Sequence, residues 1–123
     1  MTRFLRSRTT LGVKNVPASL EFYERAVGFT ALTTMGEPPT FAILGPGEAG
    51  LGLAQVDTPA VADLACCYFN VDGVEELHQR CVDAGARVTF PLTRHPWGNY
   101  DFVVADPDGH QLAFGEVPPQ HTD

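Results

Sequence analysis

Several features are scarce in this 123-residue chain. No stretch approaches the roughly 20 consecutive apolar residues that a membrane-spanning helix needs, so no bilayer span is expected. Basic residues are few: eight Lys and Arg stand against fifteen Asp and Glu, for a net charge of −7. Without a positive footprint the chain cannot neutralise a phosphate backbone, which argues against a nucleic-acid partner. An acidic surface instead suits cationic ligands. Charge of either sign amounts to only 19% of residues, so the chain does not read as disordered and self-repelling. Cysteine is limited to Cys66, Cys67 and Cys81. Two neighbours and an odd third make no disulfide framework, which points to a reducing compartment. The basic start, Met1 to Arg8, has no apolar run behind it and does not read as a secretory signal. The expected setting is cytoplasmic.

What is present fits one domain spanning 1–123, with enough apolar residues (44%) for a core. Glycine and proline are abundant, 12 and 10, as expected for short elements joined by tight turns. Thr9 to Lys14 reads as a strand. Asn15-Val16-Pro17 opens a helix, with a polar cap and proline in the first turn. Leu20, Tyr23 and Val27 mark its buried stripe and Gly28 stops it. Strands follow at Phe29–Thr34, Phe41–Leu44 and Leu51–Val56. The same order then returns. Cys67–Val71 is a strand, and Asp72 with Glu75 forms a capping box. Val74, Leu77, Cys81 and Ala84 give the second helical stripe, which Gly85 ends. Arg87–Phe90 is a strand, and Tyr100–Ala105 pairs with His110–Glu116 around the turn Asp106-Pro107-Asp108-Gly109.

The spacing repeats as well. Leu20 and Leu77 are 57 positions apart, as are Gly28 and Gly85; Phe41 and Phe102 are 61 apart, as are Pro46 and Pro107. The expected fold is therefore α+β. Two tandem βαβββ modules, about 9–56 and 66–116, form a curved mixed sheet cup with helices on the convex face. Such a cup is a natural place for a small molecule.

These residues bring the chain close to a known group. Val13-Lys-Asn15, the run Ser19 to Phe29, Val71-Asp72 with its Gly85-ended helix, and Pro96 to Glu116 resemble the glyoxalase / bleomycin-resistance / extradiol-dioxygenase (vicinal oxygen chelate) superfamily. The likeness runs from about Thr9 to Glu116. Pro96-Trp-Gly and the Phe114-Gly-Glu ending look most like the antibiotic-resistance branch. That resemblance implies a homodimer that sequesters an antibiotic or other planar metabolite without turnover, each cup taking elements from both chains. The alternative is a glyoxalase- or dioxygenase-like lyase or isomerase with an atypical or partner-supplied site.

Metal-dependent relatives ligate an ion from four strands. Carried onto this sequence, those slots fall at Arg8, Ala54 (give or take one residue, with Gln55 beside it), Cys66 and Ala113. Two methyl groups, a guanidinium and one thiol do not make a site for a hard divalent ion. No metal and no cofactor is therefore expected. His78, His95, His110 and His121 read as surface or capping residues. A metal-free cup binds by shape and stacking. Trp97, Tyr100 and Phe102 form the expected aromatic wall, with Phe102 opposite the inward slot of Ala113 and Asp101 turned outward. Tyr68, Cys66, Phe41 and Arg8 complete the expected ligand-binding set.

Overall fold

In the first half, apolar residues alternate with small or polar ones, and each strand pairs so that its apolar set faces one way. The computed structural model describes residues 1–118 and separates into two compact units, Met1–Val61 and Ala62 onward. In the first, β1 (Thr9–Val13), β2 (Ala31–Met35), β3 (Phe41–Leu44) and β4 (Leu51–Gln55) form a four-stranded mixed sheet in the order β1-β4-β3-β2. Leu11, Val13, Ala42, Leu44, Leu51 and Leu53 share one buried face. Helix α1 (Val16–Phe22), continued by a π-helical turn Tyr23–Val27, covers it with Val16, Phe22, Tyr23 and Ala26. Gly28, at φ 87°, ends the helix, and its N–H and that of Phe29 both donate to the Tyr23 carbonyl. The Phe-Tyr…Gly-Phe spacing is thus a helix stop sealed by buried aromatic rings.

The second unit repeats the plan. Strands β5 (Cys67–Asn70), β6 (Arg87–Arg94), β7 (Tyr100–Ala105) and β8 (Gln111–Glu116) are ordered β5-β8-β7-β6, and α2 (Val74–Asp83) packs on one face. Phe102, Val104, Leu112 and Phe114 are buried beneath it. Strand β6 runs four residues beyond the Phe90 expected from sequence. Pro91 is tolerated because β6 is a sheet edge and its register slips on both sides of Phe90.

Each helix is tied at its start to the last strand of its own unit. The Val16 N–H donates to Gln55 Oε1 at 3.1 Å, and the N–H groups of Gly73 and Val74 donate to Glu116 Oε2 at 2.9 and 2.8 Å. Gln55 and Glu116 are 61 positions apart, the interval already seen in the turn prolines. This corrects the expected capping box. Gly73, not Asp72, occupies the cap position and has no side chain to offer. Glu75 instead accepts a hydrogen bond from Tyr100 at 2.9 Å. A carboxylate on the orphan donors of a helix N-terminus satisfies them and complements the dipole.

The hairpin in the second unit carries one more residue than expected. Ala105 pairs with Gln111, so its loop runs from Asp106 to His110. Asp106 Oδ1 accepts the N–H groups of Asp108 and His110, and Asp106 and His110 are both buried. One residue in the loop shifts the register by one, and every side chain on the strand changes face. Among the described residues no helix is long and apolar enough to cross a membrane.

Glu116→Ala should lower stability by about 0.5–2 kcal/mol, the usual cost of losing an N-terminal cap. Glu116→Gln should lose less, because the amide oxygen still accepts. Urea melts check both; an unchanged Glu116→Ala midpoint would contradict the docking role.

Candidate functional site

In the second unit α2 covers one sheet face, and among the described residues no helix or strand of that unit covers the other. The one-residue shift decides what stands there. Phe102 pairs with Phe114, and Ala113 pairs with Val103 and Tyr68. Phe102 therefore does not lie opposite Ala113. It is fully buried against His78 of α2, with ring centroids 5.0 Å apart. Tyr100 turns the same way, toward Glu75, with the Arg94 guanidinium 4.2 Å over its ring. Neither belongs to the aromatic wall expected from sequence. The same shift brings Asp101, expected to face outward, onto the uncovered face.

Asp101 joins a hydrogen-bonded chain on that face. Tyr68 Oη donates to Asp101 Oδ2 at 2.8 Å, and Asp101 Oδ1 lies 2.7 Å from His95 Nε2. Asn99 Nδ2 donates to Tyr68 Oη at 3.3 Å. The Asp101 and His95 side chains are only 14% and 16% exposed, so the pair is substantially shielded from water. Burial, and next the bond to Asp101, push the Tyr68 phenol up to about 12. It stays protonated at neutral pH and can donate. Gly115 makes the arrangement possible: a Cβ there would overlap the Tyr68 hydroxyl and crowd Asp101.

Trp97 completes the site. His95 to Asn99 close a tight loop, with Gly98 N–H donating to the His95 carbonyl and His95 N–H to the Asn99 carbonyl. Gly98, at φ 105°, supplies the left-handed turn. The loop lays the Trp97 indole on the His95 imidazole, centroids 4.5 Å apart and planes within 7°. Trp97 nevertheless remains 67% exposed. Phe90, half exposed, flanks His95 at 6.3 Å.

Cys66, expected on this face with Tyr68, lies outside β5. Its thiol sits at a bend just before β5, 3.9 Å from the Cys67 sulfur and 3.2 Å from the Gln111 carbonyl. Successive side chains diverge in a regular strand; the bend lets these two converge. The Cys67 thiol beside it, aided by His110, draws the Cys66 thiol down to about 7. Cys67 is pushed up by its bond to Cys66 and by burial.

The remaining expected residues lie in the first unit. Phe41 is half buried on the uncovered face there, paired with Ala54. Arg8 precedes β1, is exposed, and donates to the Gly47 carbonyl at 3.1 Å. His121 lies outside the described residues. The slots that would hold a metal, Arg8, Ala54, Cys66 and Ala113, do not fit one. Arg8 is a committed donor, Ala113 offers a methyl beside Tyr68, and Gln55, next to Ala54, is used on the α1 N-terminus. Among the described residues no three of His, Cys, Asp and Glu gather as ligands.

Comparison with known proteins finds relatives of this chain. The profile of the Glyoxalase/Bleomycin resistance protein/Dioxygenase superfamily matches residues 6–114. A protein named "Bleomycin resistance protein" from Geobacillus stearothermophilus is 27% identical over 128 residues, covering 89% of this chain and 95% of that protein. Two solved structures share the fold. TnmS3, an antibiotic binding protein from Streptomyces sp. CB03234, is 22% identical with a TM-score of 0.76, over 96% of this chain and 99% of its own. TioX from Micromonospora sp. ML1 is 23% identical with a TM-score of 0.75, over 96% and 100%.

Two measurements test this geometry. Gly115→Ala should destabilise by roughly 1–3 kcal/mol through overpacking; an unchanged melting midpoint would contradict the close Tyr68–Asp101 approach. Iodoacetamide should modify Cys66 with a rate that rises with pH and is half-maximal near 7, because the thiolate is the nucleophile. Cys67→Ser should move that midpoint; a midpoint at the ordinary thiol value in the unsubstituted protein would rule out activation of Cys66.

Proposed function

Because the chain belongs to the glyoxalase/bleomycin resistance protein/dioxygenase superfamily, we propose that it binds and sequesters a planar antibiotic or similar metabolite without chemical turnover. The observation that carries this reading is the exposed Trp97 ring, held parallel to His95 at the rim of an uncovered sheet face. A large aromatic surface that stays open to water while its orientation is fixed is prepared for stacking. Relatives named for bleomycin resistance support the assignment, and the donor-poor metal slots favour binding over metal chemistry.

On this reading Trp97 supplies the stacking surface. Tyr68, Ala113 and Cys66 line the face beneath it. In the first unit, Phe41 and Arg8 are the candidate ligand contacts. The protein acts in the cytoplasm as a homodimer, whose second chain completes the enclosure of the ligand. The net charge of −7 raises the local concentration of cationic drugs.

Titration with planar antibiotics, a bleomycin among them, should quench the fluorescence of Trp97, the single tryptophan. Trp97→Ala, followed by calorimetry, should weaken binding by roughly 1–3 kcal/mol, as for other aromatic platforms under planar rings. Equal affinity for the variant would remove Trp97 from the site. Release of a chemically altered ligand would replace sequestration with catalysis.

A further inference from the structure

Resting on the binding reading above, we infer that His95 is a polar anchor for the ligand, accepting a hydrogen bond from a hydroxyl or N–H at the rim of a planar aromatic ring. The geometry of the Asp101 pair carries this. An ionised carboxylate only accepts hydrogen bonds, so the 2.7 Å contact requires the hydrogen to sit on His95 Nε2. In its neutral form the imidazole then presents a bare lone pair at Nδ1, and that form is the one the anchor uses. Among the described residues no polar group is bonded to Nδ1. No buried side-chain nitrogen or oxygen there lacks a partner, so Nδ1 reaches the surface.

The surroundings fix both the identity and the direction of that acceptor. Tyr68 holds the other Asp101 oxygen at 2.8 Å, and Asn99 holds Tyr68. Asp101 therefore cannot turn away, and it acts as the positioning residue for His95. The Nδ1 lone pair lies in the imidazole plane, which is parallel to the indole within 7°. A donor must consequently approach edge-on. The ring that carries it lies level with His95, against the part of the indole that the smaller imidazole leaves uncovered. Stacking on Trp97 and hydrogen bonding to His95 are then satisfied together by one class of ligand, a planar aromatic with a donating edge, such as a phenol or hydroxyquinone. A methyl ether at the same edge would set its oxygen lone pairs against that of Nδ1 and leave the acceptor unpaired, which is how polar sites discriminate.

The test compares a hydroxyanthraquinone, its hydroxyl remote from the carbonyls, with its methyl ether. The protein is the full chain and its Asp101→Asn variant. Asparagine keeps the shape and the Tyr68 bond but donates to Nε2, which moves the hydrogen to Nδ1. The unsubstituted protein should bind the hydroxyl form roughly three- to tenfold more tightly, the fold-change of one ordinary hydrogen bond. In Asp101→Asn that ratio should fall to near one, because Nδ1–H can donate to either oxygen. Nitrogen-15 imidazole shifts of the ligand-free proteins should report hydrogen on Nε2 in the first and on Nδ1 in the second, a change that a merely structural Asp101 would not produce.

Equal affinity for the two probes in the unsubstituted protein would overturn the anchor while leaving stacking intact. So would hydrogen on Nδ1 in the free protein. Failure of both probes to bind, with Trp97 fluorescence unchanged, would overturn the binding reading and the anchor with it.

Discussion

The uncovered face of the second unit depends on a side chain that is not there. Gly115 leaves the surface of β8 bare between its neighbours, and Tyr68 and Asp101 meet across the gap. Any larger residue would push the phenol and the carboxylate apart. The consequences run outward in sequence: Asp101 orients His95, His95 supports Trp97, and Trp97 presents its ring to solvent. A bond between two partly exposed groups is ordinarily weak. Here Asp101 and His95 are shielded, and Tyr68 with Asn99 braces the carboxylate, so the groups are interlocked.

The sidedness of the fold has a second source. In each unit the last strand ends in a side chain that accepts the N–H groups opening that unit's helix, Gln55 in the first and Glu116 in the second. This anchors the helix to one face of the sheet and leaves the other free of it. The ending Phe114-Gly115-Glu116 shows the division residue by residue. Phe114 stacks in the core on Phe69, Gly115 makes room on the open face, and Glu116 reaches back to the helix. Three neighbouring residues thus serve the core, the site and the helix dock.

Much of this architecture was legible in the sequence because it rests on local chemistry. Helical stripes, stop glycines at 28 and 85, and the repeated intervals identified both modules and their element order. The site was less legible. The turn Asp106-Pro-Asp-Gly reads as four residues, yet Asp106 also captures the N–H of His110 and enlarges the loop by one. That single residue sends Tyr100 and Phe102 to the helix and Asp101 to the open face. The capping residue for α2 was hidden for a different reason: Glu116 lies 43 positions beyond Gly73, and no local pattern links them. His95, in the loop after β6, and Asp101, six residues on in β7, become partners only once the hairpin geometry is known.

Stacking surface, oriented acceptor and donor-poor metal slots all lead to one account, in which the open face around Trp97 receives the ligand. The second unit offers an alternative in an open hollow of about 340 Å³ lined by Asn70, Val71, Asp72, Glu116 and Val117. Amide and indole NMR shifts recorded during titration with a planar antibiotic distinguish the two most directly. The account predicts that the largest changes fall on the Trp97 indole, Tyr68, His95 and Asn99. Changes confined to Asn70, Val71, Asp72 and Val117 would contradict it.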